Sequence, residues 1–212
     1  MNEYETDWEQ LYRDEFTPWD TGRPDSHLID LVCEYPIRPC TALDVGCGTG
    51  ESSLWLARHG FNVTGMDLST TAIDIAKSKS GAARCRFHVG NFLEEPVLRN
   101  DFEFVFDMGC FHVFHKEEQR ERFAQKVVEC LCENGLWLSI SGSCDGPEYG
   151  PPRLSAIEIT KAVEPYFEIV HLKATKIDEL SAEDLVNLGL EPGTTPKAWE
   201  CLMKKRSKLN TL

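Results

Sequence analysis

Short apolar runs alternate along the chain with segments whose apolar residues recur at helical spacing. The runs are rich in β-branched and aromatic residues, which is typical of buried strands. This pattern predicts five strands in the first two thirds of the chain: Thr41–Val45, Asn62–Met66, Cys85–Val89, Phe102–Phe106 and Leu136–Ser141. Between them it predicts helices over Ser52–His59, Thr70–Lys79 and Glu117–Glu133. Strands that alternate with helices favour parallel βαβ units in a doubly wound α/β sheet.

The remaining segments extend this pattern at both ends. Glu117–Glu133 has Phe123, Val127 and Leu131 four residues apart, so one face is expected to be buried, and Asn134-Gly135 is expected to end the helix. The other predicted elements are helices over Trp8–Phe16, Ser26–Tyr35, Ser155–Val163 and Asp178–Leu188, and strands over Tyr166–Lys173 and Trp199–Lys204. Without repeats or low-complexity linkers, the sequence predicts a single domain over residues 1–212, with an N-terminal helical cap (1–36), a core (37–205) and a tail (206–212).

Composition narrows the classes of partner. With 22 basic and 35 acidic side chains, the formal net charge is −13, which would repel phosphate backbones and argues against a nucleic-acid partner. The sequence has no apolar run of about 18 residues, so we expect no membrane span, and its acidic start is unlike a signal peptide. The nine cysteines lie mostly in apolar runs and lack metal-ligand spacing, which favours buried thiols in a cytoplasmic protein and no metal site. Because the surface is expected to be polar and charged, we expect a monomer.

A glycine-rich loop follows the first predicted strand in LDVGCGTG, Leu43 to Gly50. Such a loop lets backbone N–H groups approach a ligand, and Asp67, which follows the second strand, would reach a ribose diol. A dinucleotide would require the spacing G-x-G-x-x-G and a pyrophosphate at the helix N-terminus. Here acids stand at both ends of the loop, Asp44 and Glu51, which favours a cationic cofactor. S-adenosyl-L-methionine, with its ammonium and sulfonium groups, fits this requirement.

The segments LDVGCGTG, GMDLS, GNF and FDMGCFHVF resemble, in this order, the cofactor motifs of class I S-adenosylmethionine-dependent methyltransferases. The flanking segments TPWDTGRP and GPPRLSAIEI resemble the thiopurine S-methyltransferase family, which includes thiol methyltransferases. The resemblance extends from Trp8 to about Lys204. It implies a Rossmann-like α/β fold with a seven-stranded, mostly parallel sheet, helices on both faces and an antiparallel last strand. It also implies S-adenosyl-L-homocysteine as the product.

The same resemblance implies a role for each cofactor-binding residue. The loop of Gly46, Cys47, Gly48 and Gly50 would hold the methionine moiety, with Asp44 near its amino group. Asp67 would bind the ribose, and the adenine would lie between the residues that follow the second and third strands, Leu68, Asn91 and Phe92. Met108 would lie beside the transferred methyl group, and the N-terminal segment would fold over the cofactor through Trp8, Tyr12 and Trp19. The alternative is that these three aromatic residues only pack the N-terminal helices against the core.

The acceptor pocket is expected after the fourth and fifth strands. The resemblance places Phe111, His112 and Phe114 there, with Arg153 in the later GPPR segment. The mammalian thiopurine enzymes have an arginine where Met108 stands, which argues against a thiopurine acceptor. His112 and His115 are the candidate bases; His112 is expected to be catalytic or to orient the substrate, and the alternative is a loop histidine with satisfied hydrogen bonds.

Together these residues predict S-adenosylmethionine-dependent methylation of a small molecule. The acceptor would be a thiol or other soft nucleophile, or a heteroaromatic hydroxyl or nitrogen. A thiol, with a pKa of about 8.5, needs little help from a base. The alternative is a non-catalytic module that binds S-adenosylmethionine.

Overall fold

The computed structural model describes residues 6–35, 37–81, 83–97, 99–146, 148, 152–177 and 180–207. These residues contain seven strands: β1 (Thr41–Val45), β2 (Asn62–Asp67), β3 (Cys85–Val89), β4 (Phe102–Met108), β5 (Leu131–Gly142), β6 (Phe167–Lys176) and β7 (Lys197–Lys205). They form one sheet in the order β3-β2-β1-β4-β5-β7-β6. Strands β1 to β5 pair in parallel, and β7 lies antiparallel between β5 and β6. The predicted seven-stranded α/β fold with an antiparallel last strand is confirmed.

Helices connect the strands and cover the sheet. Over the same residues they are α1 (Trp8–Arg13), α2 (Ser26–Glu34), α3 (Glu51–Arg58), α4 (Thr70–Ser80), α5 (Glu117–Cys130), α6 (Ala156–Val163) and α7 (Ala182–Asn187), with a 3₁₀ turn at Phe111–Val113. Most predicted boundaries differ from these by one to three residues. The predicted helix Asp178–Leu188 corresponds to α7, and its first two positions, 178 and 179, lie outside the described residues.

The sheet is buried on both faces, which explains why its strands read as continuous apolar runs. Neighbouring residues of one strand point to opposite faces. On β5, for example, Trp137 joins a cluster with Phe123 and Ile159 from α5 and α6. The adjacent Leu138 joins a second cluster with Leu28 and Leu56 from α2 and α3.

The predicted end of the helix before β5 is wrong. Helix α5 ends at Cys130, and β5 begins at Leu131, which pairs with Phe102. The next residue pair is Phe104 with Leu136, so residues 132–135 form an irregularity that contains Asn134 at φ 62°. Leu131 is buried in either arrangement, so its four-residue spacing from Val127 did not distinguish a last helical turn from the first strand residue.

The strand order reverses direction at β1, whose neighbours are β2 and β4. In open α/β sheets this switch point leaves a crevice at the carboxyl ends of the strands, where ligands bind. The chain segments that follow β1, β2 and β4 therefore meet at one place in the fold.

Candidate functional site

The glycine loop has a backbone shape that only glycine adopts without strain. Gly46, Gly48 and Gly50 have φ angles of 70°, 51° and 85°. The amides of Gly46 and Cys47 donate to the carbonyl of Met66 on β2 at 2.8 and 3.0 Å, which fixes the loop against the neighbouring strand. A Cβ atom on Gly46 would lie 2.7 Å from Cβ of Cys110, so the loop also packs closely on the segment after β4.

Asp67 ends β2 directly beside this loop and is 9% exposed. One carboxylate oxygen accepts from the Gly48 amide at 2.8 Å and the other from the Ser69 amide at 2.9 Å. Burial raises the pKa of Asp67, and these backbone donors oppose that rise. A carboxylate offers about four lone-pair directions, so two remain to accept hydrogen bonds from a ribose diol.

Asp44 lies beneath the loop and is 2% exposed. Its carboxylate accepts from the Ser53 hydroxyl at 2.6 Å. Burial raises its pKa to about 7, with the nearby Asp67 and Asp107 adding to the effect. Its charge is therefore destabilised in the free protein, and a cation bound above the loop would stabilise it.

Glu51, the acid after the loop, is not placed to attract a cationic ligand as Asp44 is. Its carboxylate pairs with the Lys79 ammonium at 2.8 Å, so its charge is compensated within the protein. Of the two acids that flank the loop, only Asp44 can therefore favour a cationic ligand, together with Asp67 of the neighbouring strand. The local sequence around Glu51 did not predict this ion pair, because Lys79 lies 28 residues further along the chain.

Asp107 is a buried acid that the sequence did not single out. It lies near the end of β4, is 0% exposed, and accepts from the Phe111 amide at 2.9 Å and from Nε1 of Trp137 at 2.8 Å. Burial raises its pKa to about 6. Like Asp67, it lies near the end of a predicted strand, and this position could have marked it as a candidate site residue in the sequence. It organises the turn that begins the expected acceptor side.

The N-terminal segment brings together three aromatic residues, which we call the aromatic cap: Trp8, Tyr12 and Trp19. Tyr12 is the member of the cap that reaches the glycine loop. Tyr12 is buried, and its hydroxyl lies 2.8 Å from where a Cβ on Gly48 would be. Nε1 of Trp19 donates to that hydroxyl at 3.3 Å, and the Trp8 and Trp19 rings meet edge to face at 5.3 Å. Burial raises the pKa of Tyr12, so it stays a neutral phenol.

The residues expected around the adenine lie in different surroundings. Leu68 follows the carboxyl end of β2 and is 49% exposed. Asn91 uses its side-chain oxygen to accept from the Leu93 amide at 3.0 Å. The Phe92 ring packs on Phe123 at 4.9 Å and is 9% exposed, so little of its surface is available to a ligand. Met108, at the end of β4, is half-buried.

His112 joins the ends of β4 and β5 and is 6% exposed. Its Nδ1 accepts from the Gly142 amide at 2.7 Å, and the ring also interacts with the backbone of Gly109. Because Nδ1 accepts, the proton of the neutral ring is on Nε2. Burial and the nearby Arg153 lower the pKa of His112 to about 4. A neutral ring of this tautomer donates at Nε2 and has no lone pair free to act as a base.

The other residues expected to bind the acceptor differ in burial. Phe111 does not line a pocket: it is 0% exposed and its ring packs between Phe123 and Trp137, which corrects that prediction. The 3₁₀ turn directs Phe111 inward, a feature that the sequence pattern of the loop did not reveal. Phe114 is half-buried against Phe123. Arg153 is half-buried near Gly142 and donates to the Gly146 carbonyl at 3.3 Å. Residues 150 and 151 of the GPPR segment lie outside the described residues, as do 147 and 149 of the loop before it.

Arg120 is a further residue that sequence reasoning missed. From α5, with 5% exposure, it donates to the carbonyls of Phe114 and His115 at 2.8 and 3.0 Å and pairs with Glu158 of α6 at 3.3 Å. It lies within the charged run KEEQRER, which reads as a solvated helix face, so no local signal marked it as buried. It supports the loop after β4.

Two negative findings concern only the residues that the structure describes. No group of three or more histidine, cysteine, aspartate or glutamate side chains is placed there to hold a metal ion. None of the helices in these residues is long and apolar enough to cross a membrane.

Known proteins resemble this chain in sequence and fold. A family model described as a methyltransferase domain matches residues 42–135. The 2-heptyl-1-hydroxyquinolin-4(1H)-one methyltransferase of Mycobacteroides abscessus is 25% identical over 76% of this chain and 72% of that protein. Probable thiol methyltransferase 2 of Arabidopsis thaliana is 28% identical over 78% of this chain and 75% of that protein.

Solved structures share the fold over almost the whole chain. One, from work on the conversion of a disulfide bond into a thioacetal group during echinomycin biosynthesis, is 24% identical with a TM-score of 0.78 and covers 96% of this chain and 92% of its own. Another is the 1,6-didemethyltoxoflavin-N1-methyltransferase of Burkholderia thailandensis with bound S-adenosylhomocysteine. It is 17% identical with a TM-score of 0.70 and covers 93% of this chain and 85% of its own.

The residues at the strand ends suit the S-adenosyl group, which is present as S-adenosylhomocysteine in the Burkholderia thailandensis structure. Buried carboxylates at Asp44 and Asp67 suit an ammonium and a ribose diol, and the aromatic cap suits a sulfonium. The order of the motifs, the sheet topology and the relatives agree with one another. Residues 42–135 of this chain match a methyltransferase domain, and in its motifs and sheet topology the chain is similar to class I S-adenosylmethionine-dependent methyltransferases, with a site that suits S-adenosyl-L-methionine as the cofactor.

Proposed function

We propose that this methyltransferase acts on a small-molecule nucleophile that binds beside the ends of β4 and β5. The observation that carries the proposal is the arrangement at the switch point of the sheet. A glycine loop with the buried acids Asp44 and Asp67 lies beside the aromatic cap. The loop after the adjacent strand β4 carries His112, which is held by its hydrogen bond from the Gly142 amide. The glycine loop, the two acids and the aromatic cap suit the cofactor. The loop that carries His112 leaves room for an acceptor beside the ends of β4 and β5.

The chain's own residues would bind and align the reactants. When bound, S-adenosyl-L-methionine supplies a methyl group on a positively charged sulfur. Asp67 would accept hydrogen bonds from the ribose, while the negative charge of Asp44 would attract the ammonium group. The aromatic cap would exclude water and attract the sulfonium through its ring faces. Holding donor and acceptor in line accounts for much of the rate of such a displacement.

His112 would position the acceptor loops and would not remove a proton. Its Nδ1 is bonded to Gly142 and burial keeps the ring neutral, so it fixes the backbone after β4 relative to the end of β5. With this histidine unsuited to act as a base, the favoured acceptors are those that ionise readily. Thiols, with a pKa of about 8.5, and acidic heteroaromatic hydroxyl or nitrogen groups have this property.

The names of the relatives support these acceptor classes. One relative is named for a hydroxyquinolinone and another for thiols. A non-catalytic module that binds S-adenosylmethionine, the alternative, receives no support from relatives that are named as enzymes. We therefore propose thiols, other soft nucleophiles and acidic heteroaromatic groups as acceptors.

A substrate panel with methyl-labelled S-adenosyl-L-methionine tests the proposal. The panel contains aryl and alkyl thiols, halides, chalcogen oxyanions, hydroxy-heteroaromatics and simple alcohols. We expect labelled product and an equal amount of S-adenosyl-L-homocysteine with at least one acidic acceptor, and no product with simple alcohols. A protein that binds the cofactor but methylates none of these compounds would instead be a binding module.

A further inference from the structure

A carboxylate of the N-terminal helix is tied to the start of the helix that follows β2. Glu9 of α1 accepts from the Ser69 hydroxyl at 2.6 Å, the Thr71 amide at 3.1 Å and the Thr71 hydroxyl at 2.9 Å. Arg13, one turn further along α1, donates to the same carboxylate at 2.8 Å. These donors, Ser69 first among them, lower the pKa of Glu9 to about 2. The carboxylate is therefore ionised at any pH used for an assay.

This contact leads directly to the predicted ribose-binding acid. The Ser69 hydroxyl bonds to Glu9, and the Ser69 amide donates to Asp67 at 2.9 Å. The other oxygen of Asp67 accepts from the Gly48 amide at 2.8 Å. A continuous series of hydrogen bonds thus connects Glu9 on α1 with the glycine loop.

Helix α1 depends on such contacts for its position. It is six residues long, and isolated helices of this length are not stable in water. It carries Trp8 and Tyr12 of the aromatic cap. Beyond it, the Asp20 carboxylate accepts from the Thr49 hydroxyl of the glycine loop at 2.7 Å. Glu9 and Asp20 therefore hold the N-terminal segment at two points, one within α1 and one directly after Trp19.

We infer that Glu9 is a positioning residue for the cofactor: by bonding to Ser69 and Thr71 it holds the aromatic cap over the glycine loop and so retains the bound cofactor. The inference rests on the proposed cofactor site. Glu9 acts through Tyr12 and Ser69, so its loss should weaken cofactor binding. Methyl transfer should change little once the cofactor is saturating, because the groups that align the acceptor are untouched.

The first test replaces Glu9 by alanine. We expect Kd for S-adenosyl-L-homocysteine, measured by calorimetry, to rise about tenfold, which corresponds to about 1.4 kcal/mol. KM for S-adenosyl-L-methionine should rise in parallel, with kcat at saturating cofactor changed by less than about twofold, the pattern of lost binding without lost transition-state stabilisation. Glu9→Gln keeps an acceptor oxygen and should show an intermediate effect. Asp14→Ala removes the same charge from the exposed end of this helix and should bind like the wild type.

A second variant approaches the contact from α4. Thr71→Val removes a hydroxyl that bonds to Glu9, so its effect on Kd should be less than additive with that of Glu9→Ala. Hydrogen exchange of residues 8–20 should slow when S-adenosyl-L-homocysteine binds the wild type, and slow less in Glu9→Ala. If Glu9→Ala does not fold, Glu9→Gln and Thr71→Val test the same contact.

The outcomes separate this inference from the proposed function. Wild-type affinity in folded Glu9→Ala and Thr71→Val would overturn the positioning role. A fall in kcat at saturating cofactor with an unchanged KM would also overturn it. Failure of the wild-type protein to bind S-adenosyl-L-homocysteine at all would instead remove the proposed cofactor site.

Discussion

At the scale of single residues, burial decides what each acid near the strand ends can do. Asp67 has its charge supported by two backbone amides, Asp107 by an amide and an indole, and Asp44 only by one hydroxyl. The acid with the weakest support, Asp44, has a pKa near 7. Its ionisation is therefore the one most sensitive to a bound cation in the range where enzymes are assayed.

Cofactor affinity should depend on pH through Asp44. Below about pH 7 the free protein holds a proton on this carboxyl, whereas a bound ammonium favours the ionised form, so binding must release the proton. Affinity is expected to rise by up to about tenfold per pH unit from pH 5 to 7 and to level off above. Calorimetry of S-adenosyl-L-homocysteine across this range measures it. Asp44→Asn should bind more weakly with a flatter profile; an equal slope would assign the proton to another group.

The stability of the free protein should change in the opposite direction. Between the ordinary carboxyl value of 3.8 and about 7, the folded protein binds more protons at Asp44 than the unfolded chain does. Its contribution to stability is therefore lost as pH rises through that window. In thermal unfolding measured across this pH range, the Tm of Asp44→Asn should fall less with rising pH than the Tm of the wild type.

Replacing His112 separates positioning from base catalysis. Asparagine places an acceptor near the Gly142 amide in the way that Nδ1 does, so His112→Asn should keep turnover within about tenfold for an acidic thiol. Loss of a true general base would lower kcat by about 10²–10⁴-fold. Steady-state kinetics across pH measures this. A loss in that higher range in the folded variant, with the disappearance of one limb of the pH profile, would restore His112 as the base.

At the scale of elements, the sequence predicted strands and helices well because apolar periodicity and burial agree there. The bounds of β1 and β3 match the prediction, and the other strands extend beyond it at one or both ends, although β6 begins one residue later than predicted. The predictions failed at Leu131, which fits both the end of a helix and the start of a strand. They also failed at Phe111, whose side chain the short 3₁₀ turn directs into the core. The cofactor motifs were recognisable because glycine geometry is local. The partners of Glu51 and Arg120 come from other elements and left no local signal.

Arg120 should support the loop after β4. Replacing it with methionine removes its bonds to the carbonyls of Phe114 and His115, at a cost of about 2 kcal/mol. The expected result is a fall in Tm of about 4–8 °C and a higher KM for the acceptor. Differential scanning calorimetry and kinetics measure these effects. Arg122→Met alters an exposed arginine of the same helix and serves as the control; if both variants behave alike, Arg120 has no special role.

At the scale of the whole molecule, the sheet topology brings together acids that are far apart in the sequence. Asp44, Asp67 and Asp107 lie on the adjacent strands β1, β2 and β4, at the switch point of the strand order. The N-terminal segment closes this place from above through Glu9, Tyr12 and Asp20. The site therefore depends on the complete fold, from α1 to the loops at the far ends of β4 and β5.

The most direct test of this account is calorimetric titration of the protein with S-adenosyl-L-homocysteine. We predict binding at one site per chain, and a loss of affinity of about 100-fold in Asp67→Ala, since two hydrogen bonds from the ribose to a charged group contribute about 3 kcal/mol. Asp101→Ala, an exposed acid paired with Arg99 away from the site, should bind like the wild type. No binding at millimolar ligand, or wild-type affinity in Asp67→Ala, would contradict the account.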